Sequence, residues 1–348
     1  MKKLFSIKLL ILIIAGLLVS YVVPTVTPAQ TPAGKTFNLK FASWLPQQEA
    51  MNYATNLWMK GVEERTNGRV KVTPYYGETL GKSMNSLDML RTGVCDIALF
   101  PTIYFSKQFR VLDILALPGL VPNRTVGTEI IYTLLRQDLL KKELANYRPV
   151  VMQGFDPGFL VFSKKKVTKA EELKGMKIRF TSATTKMALE ALGATPVSIP
   201  GPELFSAVNT GIVDGVTISP AFVITSKLHE ITKYVVWGNS LFCGANIVLM
   251  SQKTWSSLPV DVQLIMEELS AKAKYDYLYI GHQADIDALN AMKAAGMDLT
   301  RLSPEESKKW QKMFKGIEDQ WVSETQTAGF PGKEALEMTK KVIERFEW

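Results

Sequence analysis

The sequence predicts an α/β protein of two lobes, each built on a central sheet, with an interdomain cleft between them and one long bracing helix. Three observations carry this. A β-α-β phrase occurs twice, as KVTPYYGETLGKSMNSLDMLRTGVCDIALF and as TPVSIPGPELFSAVNTGIVDGVTISP. Each copy ends a helix in Thr-Gly, a β-branched residue and Asp: Thr92-Gly93-Val94 with Asp96, and Thr210-Gly211-Ile212 with Asp214. Gly93 and Gly211 stand where a helix C-cap takes a positive φ, and the apolar runs that follow read as buried strands reached by right-handed crossovers. Second, the chain without its first 29 residues keeps 319, more than one core usually holds. Third, residues 260–295 form a helical run opened by Pro259, with Gly281 its only glycine. At ~1.5 Å per residue it spans about 50 Å, enough to cross both lobes.

The elements follow in order. Lys2, Lys3 and Lys8 precede an apolar run from Leu9 to Val23, and Thr27-Pro28-Ala29 supplies small residues before Gln30. Residues 1–29 therefore read as an export signal cleaved near Ala29, placing the mature chain in the periplasm. The alternative is an uncleaved anchor, since the run approaches the lower limit of a span, about 17 residues. Residues 38–43 alternate as a strand, and a helix over 50–66 carries Met51, Ala54, Leu57, Trp58 and Val62 on one stripe. Strand 70–76, helix 83–92 and strand 97–100 complete the first repeat. A helix is expected over 124–145, then strands over 150–155 and 159–162 around a hinge turn at Asp156-Pro157-Gly158. Thr168 and Glu171 have capping-box spacing before a short helix that stops at Gly175. Strand 177–180 and helix 184–192 lead into the second repeat. Strands over 234–236 and 246–250 return the chain to the first lobe, and helices over 304–326 and 333–346 pack on the periphery. The domains are thus 36–155 with about 243–275, and 156–242 with about 276–348.

Composition narrows the chemistry. Loss of three Lys with residues 1–29 leaves 38 basic against 33 acidic residues, a net +5. The Lys are scattered, with Lys164–Lys166 the densest group, and lack the aromatic interleaving of a nucleic-acid groove. Cys95 and Cys243 read as two buried thiols, and there is no CxxC or HExxH. With His229 and His282 the only histidines, a zinc site or a His-based triad is hard to assemble. No cofactor or metal is expected.

Several separated segments then agree, in order, with one family. ERTNGRVKV, YYGETLG, EELKGMKIR, LGATPVSIPGPELFSAVNTGIVDG, KLHEITKY and TWSSLPVDVQ together resemble the DctP-type solute-binding proteins of tripartite ATP-independent periplasmic (TRAP) transporters, over about residues 38–325. The resemblance implies a periplasmic-binding-protein-like fold, no enzymatic activity, a small organic carboxylate as ligand, and membrane permease subunits of a TRAP transporter as partner. A monomer is expected. The Arg of the KIR strand, here Arg179, is implied to pair with the ligand carboxylate, for which a guanidinium offers two parallel N–H donors. Ser182 stands where relatives place a polar side chain; its alternative role is to cap the next helix. Residues after the VDG turn are implied to line the cleft, here Val216, Thr217, Ile218 and Ser219, followed by Pro220 and Phe222. Trp44 and Phe159 are candidate aromatic walls.

Departures from the family pattern matter equally. Leu160 follows Gly158-Phe159 where sialic-acid and dicarboxylate binders have a second Arg, and Gly201 replaces an aromatic residue of the sialic-acid group. Together these point to a monocarboxylate with an apolar aliphatic or aromatic tail, because buried hydrocarbon is rewarded at about 25 cal/mol per Å² while an unpaired charge costs several kcal/mol. A binding protein of an ATP-driven importer or a sensor shares the hinge logic, and an exported hydrolase or lyase is the reading from another class.

Overall fold

A computed structural model describes residues 35–241 and 243–346. The export signal expected over residues 1–29 lies outside them. The first repeat is β1 (Phe37–Ser43), α1 (Ala50–Arg65), β2 (Val70–Tyr75), α2 (Ser86–Thr92) and β3 (Ile97–Pro101). Next come α3 (Arg124–Arg136), β4 (Tyr147–Gly154) and β5 (Phe159–Phe162). The second repeat is β6 (Lys177–Phe180), α4 (Ala183–Ala191), β7 (Thr195–Ser198), α5 (Leu204–Asn209) and β8 (Gly215–Ile218), followed by α6 (Pro220–Thr225). The remainder is β9 (Tyr234–Trp237), β10 (Ala245–Ser251), α7 (Gln252–Ser257), α8 (Val260–Ala294), β11 (Asp298–Arg301), α9 (Pro304–Met313), α10 (Ile317–Thr327) and α11 (Gly332–Glu344).

Two mixed sheets result, in orders β2-β1-β3-β10-β4 and β11-β9-β5-β8-β6-β7. The repeats have one topology: β1 pairs in parallel with β2 and β3, and β6 with β7 and β8, while an antiparallel strand, β10 or β5, flanks the third. The repeated Asp explains itself. Asp96 accepts from the Lys40 amide at 2.8 Å while its own amide donates to the Lys40 carbonyl at 3.0 Å. Asp214 does the same with Lys177, at 2.8 and 2.7 Å. Each carboxylate locks the entry of the third strand to the first. Gly93 (φ 78°) and Gly211 (φ 74°) hold the left-handed turn that aims the chain there.

The chain crosses between sheets three times, from β4 to β5 through the Asp156-Pro157-Gly158 turn, from β9 to β10, and from β10 to β11 by way of α8. β9 stays in the second sheet, so of the two strands expected to return the chain only β10 does so. α8 braces both lobes. Val262, Met266, Ala273 and Tyr277 join the core under the first sheet, and Met292 joins that of the second. The Trp58 indole donates to Ser270 at 3.1 Å, and the Gln153 amide donates to the Tyr277 carbonyl at 3.0 Å.

Four expectations change. The helix over 124–145 stops at Arg136, because Asp138 takes a left-handed φ of 56° and turns Leu140 and Leu144 into the core. The run over 304–326 is broken by Gly316 (φ 94°) into α9 and α10. Neither they nor α11 are peripheral: Trp310, Trp321 and Val342 are buried in a cluster with Ile130 of α3 and Leu189 of α4. The cap near Thr168 sits one residue later than the spacing indicated. Glu172 accepts from the Thr168 and Lys169 amides at 2.7 and 3.0 Å, and Glu171 pairs instead with Lys309.

Candidate functional site

Ligands of open α/β sheets lie beyond the carboxyl ends of parallel strands. Here those ends face one another. Trp44 follows β1, Tyr104 follows β3, Arg179 lies near the end of β6, and Ser219 and Phe222 follow β8. A cavity of about 70 Å³ lies between them, lined also by Ile103, Phe155, Glu49 and Asn246.

Arg179 is 2% exposed. Its Nε donates to the Ile199 carbonyl at 3.0 Å and Nη1 to the Thr217 carbonyl at 2.8 Å, so the guanidinium plane is fixed by backbone from two neighbouring segments. Burial pulls its pKa down to about 10, opposed by the Tyr104 phenol, so it remains cationic at neutral pH. Thr217 itself does not line the cavity. Its hydroxyl donates to the Arg179 carbonyl at 3.0 Å, holding β6 to β8 and the guanidinium in register.

The other sequence-predicted residues divide. Trp44, Ser219 and Phe222 line the cavity with Arg179. Ser219 precedes α6 without spending its hydroxyl on a cap bond. Ser182 is buried away from the cavity as the N-cap of α4: its Oγ accepts from the Thr185 amide at 3.1 Å and is shared with the hydroxyls of Thr184 and Thr185 at 2.9 Å. Phe159 packs on the core of the second sheet, and Phe155, on the other side of the hinge turn, lines the cleft. Val216 and Ile218 are fully buried in that same core.

Contacts cross the cleft. Trp44 and Phe222 meet edge to face with centroids 5.4 Å apart, and Trp44 meets Tyr104 at 6.1 Å. The Gly201 amide donates to the Tyr104 hydroxyl at 2.8 Å. A Cβ at Gly201 would lie 2.9 Å from a Trp44 ring carbon and 3.1 Å from both Phe222 and the Tyr104 hydroxyl, so only glycine lets the three rings close over this turn.

Arg124 also lines the cavity, but its charge is committed. It pairs with Asp156 of the hinge turn, Nε to carboxylate 3.1 Å, and with Asp285 of α8. Asp285 in turn accepts from the Ala221 amide of α6 at 2.9 Å. Gly281 leaves the space this needs, since a Cβ there would fall 2.6 Å from the guanidinium. Burial and the neighbouring Asp156 push the Asp285 carboxyl up to about 7 against the pull of Arg124, whereas Asp156, which bonds to both Asp285 and Arg124, is held below the ordinary range.

Sequence reasoning missed Tyr104, Glu49, Asn246 and Arg124. For Tyr104 a signal existed: with Asp96 set in register with Asp214, Tyr104 falls opposite Phe222, each eight residues after its Asp. The two repeats thus place an aromatic ring at equivalent points on either wall. Among the described residues no group of three or more His, Cys, Asp or Glu could hold a metal ion, and both cysteines are buried and free.

The model of the bacterial extracellular solute-binding proteins, family 7 (DctP), matches residues 41–325. A solute-binding protein of Albidiferax ferrireducens is 28% identical over 264 residues, covering 72% of this chain and 75% of its own. The C4-dicarboxylate-binding periplasmic protein DctP of Rhodobacter capsulatus is 28% identical over 269 residues, 74% of this chain and 78% of its own. Among solved structures, a marine metagenome TRAP solute-binding protein specific for aromatic acid ligands, in complex with 3-hydroxybenzoate, superposes with a TM-score of 0.84 at 25% identity, covering 90% of this chain and all of that one. A TRAP solute-binding protein from Rhodoferax ferrireducens T118 with copurified benzoate gives 0.83 at 22% identity, covering 89% of this chain and 98% of its own.

Proposed function

Since the chain belongs to family 7 of the bacterial extracellular solute-binding proteins and is a solute receptor of the TRAP type, we propose that it captures a small monocarboxylate with an aromatic tail and delivers it to the permease subunits of a TRAP transporter. One observation carries this reading: a buried, rigidly held guanidinium, Arg179, faces a cleft walled by Trp44, Tyr104, Phe155 and Phe222. A carboxylate takes the cation and the rings take the tail. A second carboxylate is disfavoured because the other arginine of the cleft, Arg124, is already neutralised by Asp156 and Asp285, and Glu49 lines the same cavity. The related aromatic-acid receptor supports the tail chemistry.

Binding stabilises the closed arrangement through contacts that exist only when both walls meet, such as Tyr104 with Gly201 and Trp44 with Phe222. Residues 155–158 and 238–241, where the chain passes between sheets, serve as the hinge, and residues 36–155 with about 243–275 move against the rest.

The test is thermal shift and calorimetry on refolded, ligand-stripped protein with benzoate, phenylacetate, hexanoate, succinate, neutral sugars and amino acids. Aromatic monocarboxylates raise Tm by several degrees, and Arg179→Ala abolishes the shift. Tighter binding of succinate or of a neutral sugar, or a shift that survives Arg179→Ala, overturns the assignment.

A further inference from the structure

The cleft holds polar atoms that a purely apolar tail would leave stranded. Glu49 Oε1, Asn246 Oδ1 and Trp44 Nε1 are buried, have no hydrogen-bond partner among the described residues, and belong to side chains that line the same cavity as Arg179. Glu49 is 8% exposed and Asn246 6%. Their surroundings account for the orphaned atoms. Asn246 spends its amide nitrogen on the Met51 sulfur at 2.7 Å, which leaves Oδ1 as its unused group. Glu49 precedes α1, and burial raises its carboxyl above the ordinary range while the Thr225 hydroxyl and the Ala50 amide act the other way. The Trp44 ring is held edge-on by Phe222 and Tyr104, so its N–H cannot swing out to solvent without breaking both contacts.

A buried polar atom without a partner costs free energy that a ligand can recover, and three on one cavity specify what the ligand must bring. Two are acceptors and one is a donor. One hydroxyl serves the indole and one of the two acceptors, with one O–H to give and two lone pairs to receive. An ammonium could serve Glu49 and Asn246 but not the indole N–H. A second carboxylate could serve the indole but would face the Glu49 carboxyl, and a methyl serves none. From this we propose that Glu49, Asn246 and Trp44 form a second, hydroxyl-recognising pole of the cleft, so that the carboxylate held by Arg179 carries a hydroxyl group on its tail. The inference rests on the carboxylate reading above and narrows it from aromatic acids in general to hydroxylated ones.

Discrimination should be steep. A site built to hydrogen-bond a hydroxyl rejects the analogue that lacks it, because the protein groups are then left unpaired, whereas an apolar pocket barely distinguishes the two. Calorimetry on the ligand-stripped protein with matched pairs reads this directly: benzoate against 3- and 4-hydroxybenzoate, and phenylacetate against 3- and 4-hydroxyphenylacetate. At least one hydroxylated acid binds roughly tenfold or more tightly than its parent in the wild type. That ratio falls toward one in Glu49→Met, which removes both oxygens at similar volume, and falls in Trp44→Phe, which keeps a ring against Phe222 and deletes the N–H. The ratio within a pair is insensitive to a general loss of stability, and Trp44→Phe serves if Glu49→Met does not fold. Equal affinities for parent and hydroxylated acids in the wild type, or a ratio unchanged in the folded variants, overturn the second pole and leave the carboxylate receptor standing. Failure of that underlying reading looks different: no monocarboxylate binds, or binding ignores Arg179→Ala.

Discussion

Replacing Arg179 by Lys keeps the charge and removes the geometry. The guanidinium is anchored by two donations to backbone, to Ile199 at 3.0 Å and Thr217 at 2.8 Å, and is proposed to meet a carboxylate with what remains of its donor fork. One ammonium at the end of a flexible stem cannot hold both carbonyls and present a bidentate face. A charge-assisted hydrogen bond contributes ~1.5–3 kcal/mol, so losing one bond to the ligand weakens binding by about 10–150-fold. A stranded backbone carbonyl costs a further ~1–3 kcal/mol of stability, which for a chain of this size lowers Tm by several degrees. Calorimetry with the best-binding monocarboxylate, alongside thermal melts of ligand-free protein, separates the two effects. A Kd within twofold of wild type would refute the argument, because it would mean that a point charge suffices and that the backbone anchoring has no part in recognition.

Gly201→Ala places a methyl 2.9 Å from the Trp44 ring and 3.1 Å from Phe222 and Tyr104, so the walls cannot close; affinity falls by about tenfold or more while ligand-free Tm stays within a few degrees, and an unchanged Kd would show that closure tolerates the spacer. Asp285→Ala strands the buried Arg124 and the Ala221 amide, and urea denaturation should report a loss of ~3–5 kcal/mol; a loss under 1 kcal/mol would show that the hub joining hinge, α6 and α8 is not structural. Glu143, buried against Val111 and Leu112 near Asp113, has its carboxyl pushed up by burial to about 8 from an ordinary 4.5. Its folded pKa is above the unfolded one, so its contribution to stability is greatest below pH 4.5 and is lost as pH rises through about 8. Melts from pH 5 to 8 should therefore show wild type losing ground steadily to Glu143→Gln, by at most ~1.4 kcal/mol per pH unit; a pH-independent difference would contradict the burial effect.

The repeat, the two-lobed α/β architecture and the long brace were legible because each rests on local rules, glycine at a left-handed cap, apolar strand runs and an uninterrupted helical run, whereas the lock that each repeated Asp forms with Lys40 or Lys177 was visible only in the structure. Arg179 was legible through resemblance, and its plane was set by carbonyls of Ile199 and Thr217 that no local pattern announces. Ser182 shows how two local roles compete: three residues after the Arg it reads as a ligand donor, yet the amide of Thr185 claims its oxygen. Tyr104 could be found only by setting the two repeats in register, and Glu49, Asn246 and Phe155 carry no motif, since each lies on a different element and only packing of both sheets and α8 brings them to one cavity. The Arg124 hub is likewise invisible in one dimension: Gly281 reads as a flaw in a helix until the guanidinium it makes room for is seen against it. Local backbone chemistry specified the lobes by itself, whereas the cleft between them was decided by tertiary packing, because its polar groups derive their meaning from partners on other elements, 20 residues away for Arg179 with Ile199 and 195 for Asn246 with Met51.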